Sequence, residues 1–420
     1  MQHLRSVPAW GLAAMVVMAC LALMCTRMPF LFKVTGSRWL YDLAAYDAAA
    51  RAVAHGHSPY NLDVLAQHAD SVIHNVFAYV YTPVLGVLLQ PTADWGMAIL
   101  QPVWLLCSSV AAAALVLLVI SPLPIAEHKV SPWSQSIALG HGAKAIALIG
   151  ILPIHYTLLS GQMEVFTVLL LVAALRLHMG GQPVAAGVVL GVMLVLKHAA
   201  LPILPLFLLV PPRTTVLYSA IAAVALAGVT VVLGYGPLWA DFLTWSSAMS
   251  LVNAPTLGLD PYNPYNISLG SAFIRMGLRS NTWFVVPGVT VWAISMLALA
   301  WNARRGRLDT LQAFAVAALA SVIALPFTWT HHLLYLAPAC AAVAVGRVQD
   351  AAFRRTIYVL LVVMQLAPGM PLIRVVQTFG FDPVGGAHAL TVALALAAVL
   401  AAMVLQLFTV QRIEPQLRPS

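Results

Sequence analysis

Long apolar stretches separated by short polar turns run along most of this 420-residue chain. Most are about 15–25 residues long, which is what a helix needs to cross roughly 30 Å of hydrocarbon. Apolar residues follow one another without the alternation of a membrane-barrel strand, so the pattern predicts helices. The predicted crossings are residues 9–31, 95–120, 137–157, 163–179, 183–199, 200–212, 214–236, 283–303, 310–326, 332–346, 356–370 and 388–410.

The pair of crossings around Lys197 has two interpretations. Pro202 and Pro205 interrupt it, and proline kinks or breaks a helix interior. One kinked helix followed by a re-entrant piece is therefore as compatible with the pattern as two crossings, and the total is about 10–12. The predicted fold class is an all-α polytopic membrane protein, with residues 1–420 forming one membrane domain.

Composition excludes a soluble fold. The chain is 61% hydrophobic and 8% charged, with a mean hydropathy of +0.91, whereas soluble domains carry roughly 25% charged residues. The net charge of +8 is scattered over short loops, which favours topology signals over nucleic-acid binding. Neither a disulfide framework nor a cysteine metal site is expected. The cysteines, all within apolar stretches, are Cys20, Cys25, Cys107 and Cys340.

Loop charge predicts the orientation. The first apolar stretch follows Arg5, exceeds the apolar region of a signal peptide and lacks a clear cleavage site, so we interpret it as an uncleaved span. With the N-terminus in the cytoplasm, the cluster Arg304–Arg307 and most other basic residues lie inside, and most carboxylates lie outside. We therefore expect a cytoplasmic-membrane protein with both termini cytoplasmic.

Two long non-apolar segments, residues 33–82 and 237–282, fall on the outer side of this topology. The first predicts two short interfacial helices, 42–55 and 61–72. The second is rich in Asn, Pro and Gly, which discourages regular structure. Two outer segments of this size indicate a site at the extracytoplasmic membrane surface.

The first outer segment carries several candidate residues. Asp42 and Tyr46 are one helical turn apart, and Asp42 is either a general base or a helix cap. His55 and His57 are either metal ligands or solvated residues of a turn. The tyrosines of the Phe77–Pro83 stretch either form an interfacial belt or line a sugar or headgroup site.

Three further places could contact an anionic group. The turn Ser160–Glu164 precedes a span and either binds an anion or caps the helix. Lys197 lies in an apolar run, where a cation costs about 2.5–3.5 kcal/mol, so it either binds a phosphate or extends to the interface. Arg275 and Arg279 either meet a phosphate or are solvated.

His331 and His332 lie at the outer end of a predicted span. Adjacent histidines on a helix do not easily face one metal ion, so we expect no metal there. One imidazole could instead donate to a leaving phosphate or orient a base.

Taken in order, these motifs resemble glycosyltransferase family 87, the polyprenol-phosphate-mannose-dependent mannosyltransferases and their relatives, which have the multispanning GT-C fold. The resemblance covers residues 38–340. It implies that Asp42 is the catalytic base of an inverting one-step transfer from a lipid-phosphate sugar, without an essential metal or cofactor. The matching stretches are Asp42–Tyr60, Phe77–Pro83, Gly161-Gln162, Gly187–Lys197, Asn266-x-Ser268-Leu269 and Trp329-x-His331-His332.

This chain departs from the family pattern in two stretches. Residues 79–83 lack the usual Tyr-Pro-Pro, and 263–266 replace a plainer turn. The sugar and the acceptor consequently stay open. The candidate site comprises catalytic Asp42, His331 and His332 together with donor-phosphate or substrate-binding Lys197, Tyr46, Tyr60, Tyr79, Tyr81, Gln162, Asn266 and Arg275.

The resulting hypothesis is a membrane hexosyltransferase. Its partners are a polyprenyl-phosphate sugar, most simply mannose, an extracytoplasmic glycolipid or glycan acceptor, and membrane lipids, with no nucleic acid. The alternatives are a transporter or flippase of lipid-linked sugars, which favours midplane charges and internal repeats, and a non-catalytic subunit of an envelope assembly.

Overall fold

Helices dominate the part of the chain that the computed structural model describes. That part comprises residues 6–8, 10–11, 13–22, 40, 42–69, 78–120, 136–138, 151–248, 253, 259, 261–262, 266–336, 350–366 and 386–409. Within it, two three-residue strands, Ser6–Pro8 and Ser136–Ala138, pair antiparallel. The helices are α1 (Ala13–Ala22), α2 (Leu43–Ala54), α3 (Leu62–His68), α4 (Pro83–Leu89), α5 (Gly96–Ile120), α6 (Ile151–Ser160), α7 (Glu164–Met179), α8 (Pro183–Leu196), α9 (Leu204–Leu209), α10 (Thr214–Thr230), α11 (Gly236–Ser247), α12 (Leu269–Arg275), α13 (Asn281–Arg304), α14 (Thr310–Ala324), α15 (Ala351–Leu366) and α16 (Gly386–Thr409).

The structure confirms a polytopic helical membrane protein. Among the described residues, four helical segments are long and apolar enough to cross a bilayer: Gly96–Val119, Thr214–Ser247, Asn281–Arg304 and Leu390–Phe408. The predicted crossings 95–120, 163–179, 283–303, 310–326 and 388–410 agree with helix bounds to within about two residues, which is how far helix ends normally vary. The termini and most of 332–346 lie outside the described residues, so the full count and the orientation stay predictions.

The two long non-apolar segments differ in how well they match their predicted structure. The interfacial helix 42–55 corresponds to α2, and 61–72 corresponds to the shorter α3, which ends at His68; residues 70–72 lie outside the described residues. The loop-like prediction for 237–282 was wrong at its start, because α10 continues through a kink at Gly234 (φ 95°) into α11. It was also wrong near its end, where α12 lies. Pro237 lies in the first turn of α11, where a missing N–H costs nothing.

The polypeptide around Lys197 follows the kinked alternative. Helix α8 ends at Leu196, and Lys197 adopts extended angles (φ −146°, ψ 99°). A 3₁₀ turn, His198–Ile203, follows and leads into the short α9. Residues 200–212 are therefore not one regular crossing.

Helix α14 lies at the centre of the packing, since twelve of its fifteen residues are buried. It contacts α13, α16 and a 3₁₀ segment, Thr330–Leu336, which in turn contacts α6 and α7. Helix α7 packs on α8, and α8 packs on α10. This arrangement brings the first residue of α7, the residue after α8 and the 3₁₀ segment to one place.

Glycines make the α8–α10 packing close. A Cβ on Gly187 would lie 2.4 Å from Tyr218 Cβ, and one on Gly191 would lie 2.6 Å from the Ser219 carbonyl oxygen. Small residues allow helix backbones to approach closely in membranes. The Gly187–Lys197 motif thus has a packing component besides the lysine.

We expect Gly191→Leu to lower stability by about 2–3 kcal/mol, because the new side chain has no room against α10. Thermal unfolding of the detergent-purified protein measures the effect. Gly228→Ala is the matched control, since a Cβ at Gly228 in α10 meets nothing within 4 Å. Equal melting temperatures for the two variants would contradict the packing argument.

Candidate active site

Asp42 is held against the turn that joins α6 to α7. The Leu40 N–H donates to the Leu159 carbonyl at 2.8 Å, and the Asp42 N–H donates to the Ser160 carbonyl at 2.9 Å. Gly161 has φ +77°, and a Cβ there would lie 3.1 Å from Leu40 Cβ. The turn therefore favours glycine both for its backbone angle and for this contact.

The helix-cap interpretation of Asp42 is wrong in this structure. Asp42 is at the N-cap position of α2, but its side chain makes no capping hydrogen bond. Instead the partly buried carboxyl receives a hydrogen bond from Gln162. Removal from water raises the Asp42 pKa to about 7; the negative charge of Glu164 adds to this shift, while Gln162 and Lys197 oppose it.

Two tyrosines fix the Gln162 amide. Tyr46 and Tyr81 lie with their hydroxyl oxygens 3.0 and 2.8 Å from Gln162 Oε1, and 2.6 Å from each other. Because Oε1 is the acceptor for this pair, the amide NH₂ is the group that faces Asp42. Asp42, Tyr46, Tyr81 and Gln162, which come from three separate sequence motifs, are thus in one network.

Lys197 lies at the other end of this network. Its Nζ is 3.4 Å from the Tyr81 hydroxyl and pairs with Glu164, and its side chain is 6% exposed. The interpretation in which Lys197 extends to the interface is therefore wrong. The Lys197 side chain instead stays inside the protein, where the Glu164 carboxylate balances its charge.

His331 and His332 both approach the same carboxylate. Each Nε2 is 3.3 Å from Glu164 Oε1, and the ring centroids are 4.5 Å apart. The expectation that adjacent histidines on a helix do not easily face one metal ion does not apply here, because both belong to a 3₁₀ segment rather than to an α-helix and both face Glu164. Glu164 is 0% exposed and is the common neighbour of these three side chains.

The ligand atoms of Glu164, His331 and His332 lie within 4.8 Å of one another, so the cluster has the spacing of a metal site. The proton positions favour an ion-pair cluster instead. The Trp329 N–H donates to His332 Nδ1 at 3.0 Å, which places the proton of the neutral ring on Nε2, facing Glu164. Lys197 also occupies Glu164 Oε1.

Tyr60 and Tyr79 hold the 79–82 segment. Tyr60 donates to the Tyr81 carbonyl at 2.8 Å, and Tyr79 donates to the Thr82 carbonyl at 2.9 Å. The Thr82 hydroxyl donates to the Val195 carbonyl near the end of α8. The Tyr60 ring also packs against Phe242 of α11, at 5.5 Å between centroids.

Asn266 and Arg275 are not brought into the network through the contacts that the structure shows. Asn266 Oδ1 accepts from the N–H groups of Ser268 (3.2 Å) and Thr328 (3.1 Å), so it joins two chain segments. Arg275 donates to the Tyr262 carbonyl at 2.8 Å. Arg275 ends α12, so Arg279 does not follow it on one helix face.

Two histidines of the first outer segment lie away from these residues. His57 Nδ1 is 2.8 Å from His68 Nε2, and His55 Nδ1 donates to the Arg51 carbonyl. His55 and His57 are exposed, and His68 is half-buried. Their contacts with one another form a separate surface group.

Glu164 is the member of the network that sequence reasoning missed. The sequence places it in the Ser160–Glu164 turn but gives no reason to assign it to the site, because a carboxylate that begins a helix is usually explained by the helix dipole. The sequence signal that could have assigned Glu164 to the site was its position at the start of an apolar stretch. A buried carboxylate there needs a cation, and Lys197 is the intramembrane cation that the sequence singles out.

Comparison with known proteins matches this chain to an enzyme family. The model of glycosyltransferase family 87 matches residues 79–326. A similar protein is the polyprenol-phosphate-mannose-dependent alpha-(1-2)-phosphatidylinositol mannoside mannosyltransferase of Mycolicibacterium smegmatis, 25% identical over 309 residues, which are 68% of this chain and 67% of that protein. The family match includes Tyr79, Tyr81, Gln162, Glu164 and Lys197, and Asp42 and the two histidines lie outside it.

Proposed function

Because the chain belongs to glycosyltransferase family 87, we propose that it transfers mannose from a polyprenyl phosphate to an extracytoplasmic glycolipid or glycan. The relative's name supports a polyprenol-phosphate donor and mannose. The stereochemistry that we propose is inversion in one step, with Asp42 as the base. Asp42, His331 and His332 are the catalytic residues of this proposal.

One observation carries the proposal. A continuous set of polar contacts joins Asp42 to Lys197 through Gln162 and Tyr81, and joins Lys197 to the two histidines through Glu164. The Asp42 carboxyl, a proton acceptor, is thus connected to Lys197 and the two imidazoles, which supply a positive charge and N–H donors. Transfer from a lipid phosphate needs these two functions, one for the attacking hydroxyl and one for the leaving phosphate.

The transfer step balances with these groups alone. Asp42 takes the proton of the acceptor hydroxyl, and the oxygen of that hydroxyl forms a bond to the anomeric carbon of the sugar. The carbon–oxygen bond to the phosphate breaks, and its electron pair stays on the phosphate oxygen. The singly charged phosphodiester becomes a doubly charged monoester, and Lys197, His331 and His332 stabilise that added charge.

The membrane supports the same arrangement. A polyprenyl chain lies in hydrocarbon and its phosphate at the interface, and Lys197 ends an apolar helix next to the partly buried Asp42. We propose that this end of the helices faces the extracytoplasmic side of the cytoplasmic membrane, with both chain termini in the cytoplasm. The distribution of loop charges supports that orientation.

The direct experiment is transfer by the purified protein in lipid nanodiscs. Polyprenyl-phosphate mannose, glucose and pentose donors are supplied separately with envelope glycolipid extract, and products are identified by mass spectrometry. Mannose transfer with inverted configuration supports the proposal. Movement of a lipid-linked sugar across vesicles without covalent transfer would favour a flippase, and neither activity would favour an assembly subunit.

The pH dependence of transfer should report the base. Because Asp42 must be ionised to accept a proton and its pKa is raised to about 7, kcat/KM should increase with pH through about 7 and then level off. Initial rates between about pH 5 and pH 9 measure this profile. A profile that levels off below pH 5 would mean that another group, or an unshifted carboxyl, is the base.

A further inference from the structure

Glu164 carries the strongest inference beyond the proposed function. It is a fully buried carboxylate whose Oε1 contacts Lys197, His331 and His332 together. Its second oxygen, Oε2, has no hydrogen-bond partner among the described residues. One oxygen atom thus gathers the three groups that are assigned to the donor phosphate.

The carboxylate oxygen makes the kind of contacts with these three groups that a phosphate oxygen would make. Both are anionic acceptors, and both suit a lysine ammonium and imidazole N–H groups. Without donor, Glu164 keeps the three side chains converged and balances the charge of Lys197. With donor, the phosphate and Glu164 share these groups, so two negative charges face each other in a buried place.

This repulsion acts unequally on substrate and product. The donor is a phosphodiester with one negative charge, whereas the released polyprenyl phosphate is a monoester with up to two. Coulomb energy is proportional to the product of the charges, so Glu164 repels the product about twice as strongly as the donor. The carboxylate therefore lowers affinity for both, and lowers it more for the product.

We propose that Glu164 is a positioning residue that holds Lys197, His331 and His332 in place and, by its charge, promotes release of polyprenyl phosphate. The proposal rests on the proposed function, because it takes the lipid phosphate as the leaving group. Glu164 does not take a proton from the acceptor in this scheme. It acts through the three side chains and through its charge.

Asp42 offers an independent readout of the same charge. The groups that face Asp42 are Gln162 and Ser160 as hydrogen-bond partners, Glu164 and Lys197 as charges, and Tyr46 and Tyr81 as neighbouring hydroxyls. The negative charge of Glu164 raises the Asp42 pKa, and Lys197 lowers it. Removing the Glu164 charge alone should move the acidic limb of the rate profile to lower pH.

The experiment compares wild type with Glu164→Gln, which keeps the shape of the side chain and removes its charge. Because the variant leaves Lys197 buried without its carboxylate partner, both proteins are compared in nanodiscs at a temperature where thermal unfolding shows that both are folded. We expect the inhibition constant of polyprenyl phosphate to fall about tenfold and the donor KM to fall less, about threefold, because the product carries the larger charge. The value of kcat should fall, because the product leaves more slowly. The acidic limb of the pH–rate profile should move to lower pH. If Glu164 only supported the structure, Glu164→Gln would raise the donor KM instead.

Two further variants sharpen the comparison. Glu164→Asp keeps the charge and should retain a ratio of inhibition constant to KM close to that of wild type, even if activity falls. Asp47→Asn removes another buried carboxylate, which pairs with Arg51 on α2, and should leave that ratio unchanged. Equal ratios in Glu164→Gln and wild type would overturn the proposal.

Direct binding separates this inference from the proposed function. Affinity of nanodisc-embedded protein for polyprenyl phosphate is measured without any acceptor, so it needs no turnover. Tighter binding by Glu164→Gln supports the charge role even in a preparation that transfers no sugar. Bound zinc in wild type that is lost in Glu164→Gln, with activity abolished by chelator, would instead make Glu164 a metal ligand and overturn the proposal.

Discussion

Replacing Asp42 with Asn should reduce sugar transfer by about 10²–10⁴-fold, the usual contribution of a general base. Asn keeps the size of the side chain and can still contact Gln162, but it cannot accept the hydroxyl proton. The protein should stay folded, because the backbone bonds from Leu40 and Asp42 to α6 do not involve the carboxyl. Initial rates with polyprenyl-phosphate mannose measure the effect.

The control for this prediction is Asp63→Asn. Asp63 is an exposed carboxylate on α3, in the same outer segment, and its loss should leave the rate within about twofold of wild type, as expected for a surface change. Donor binding by Asp42→Asn should be close to normal, since the phosphate groups are untouched. Full transfer by Asp42→Asn would remove Asp42 as the base.

Replacing Lys197 with Met should produce the largest combined loss of stability and activity. The variant leaves the Glu164 charge buried without its ammonium partner, and breaking such a pair costs about 3–5 kcal/mol. It also removes the positive charge proposed to hold the donor phosphate. We expect a lower melting temperature and transfer that is too slow to detect above background.

A double variant separates these two effects. Lys197→Met with Glu164→Gln leaves no buried charge at this position, so most of the lost stability should return. Activity should stay absent, because the phosphate still has no cation. Recovery of transfer in the stable double variant would show that Lys197 serves only to neutralise Glu164.

The sequence predicted those parts of the molecule whose cause is local. Apolar length predicted the positions of several helices, and the spacing of Asp42 and Tyr46 predicted that they lie one helical turn apart. That both side chains contact Gln162 is a finding of the structure. Lys197 was recognised because a charge in an apolar run is rare. Each of these signals is contained in a short stretch of chain.

The parts that were missed depend on packing between distant segments. Glu164 has the sequence context of a helix-start residue, whereas Lys197 and the histidines that surround it lie far along the chain. The helix over 237–247 was obscured by the loop-forming residues that follow it. The convergence of His331 and His332 required a 3₁₀ backbone, which sequence spacing alone does not predict.

The bond from Thr82 to the carbonyl of Val195 has a consequence for how the enzyme coordinates its two substrates. Tyr81 contacts Gln162, next to the proposed base, while Val195 precedes by two residues Lys197, the proposed partner of the donor phosphate. A displacement of the 79–82 segment by an incoming acceptor would therefore pull on the end of α8. In the proposed mechanism, acceptor binding and the position of Lys197 would therefore be coupled through one threonine hydroxyl.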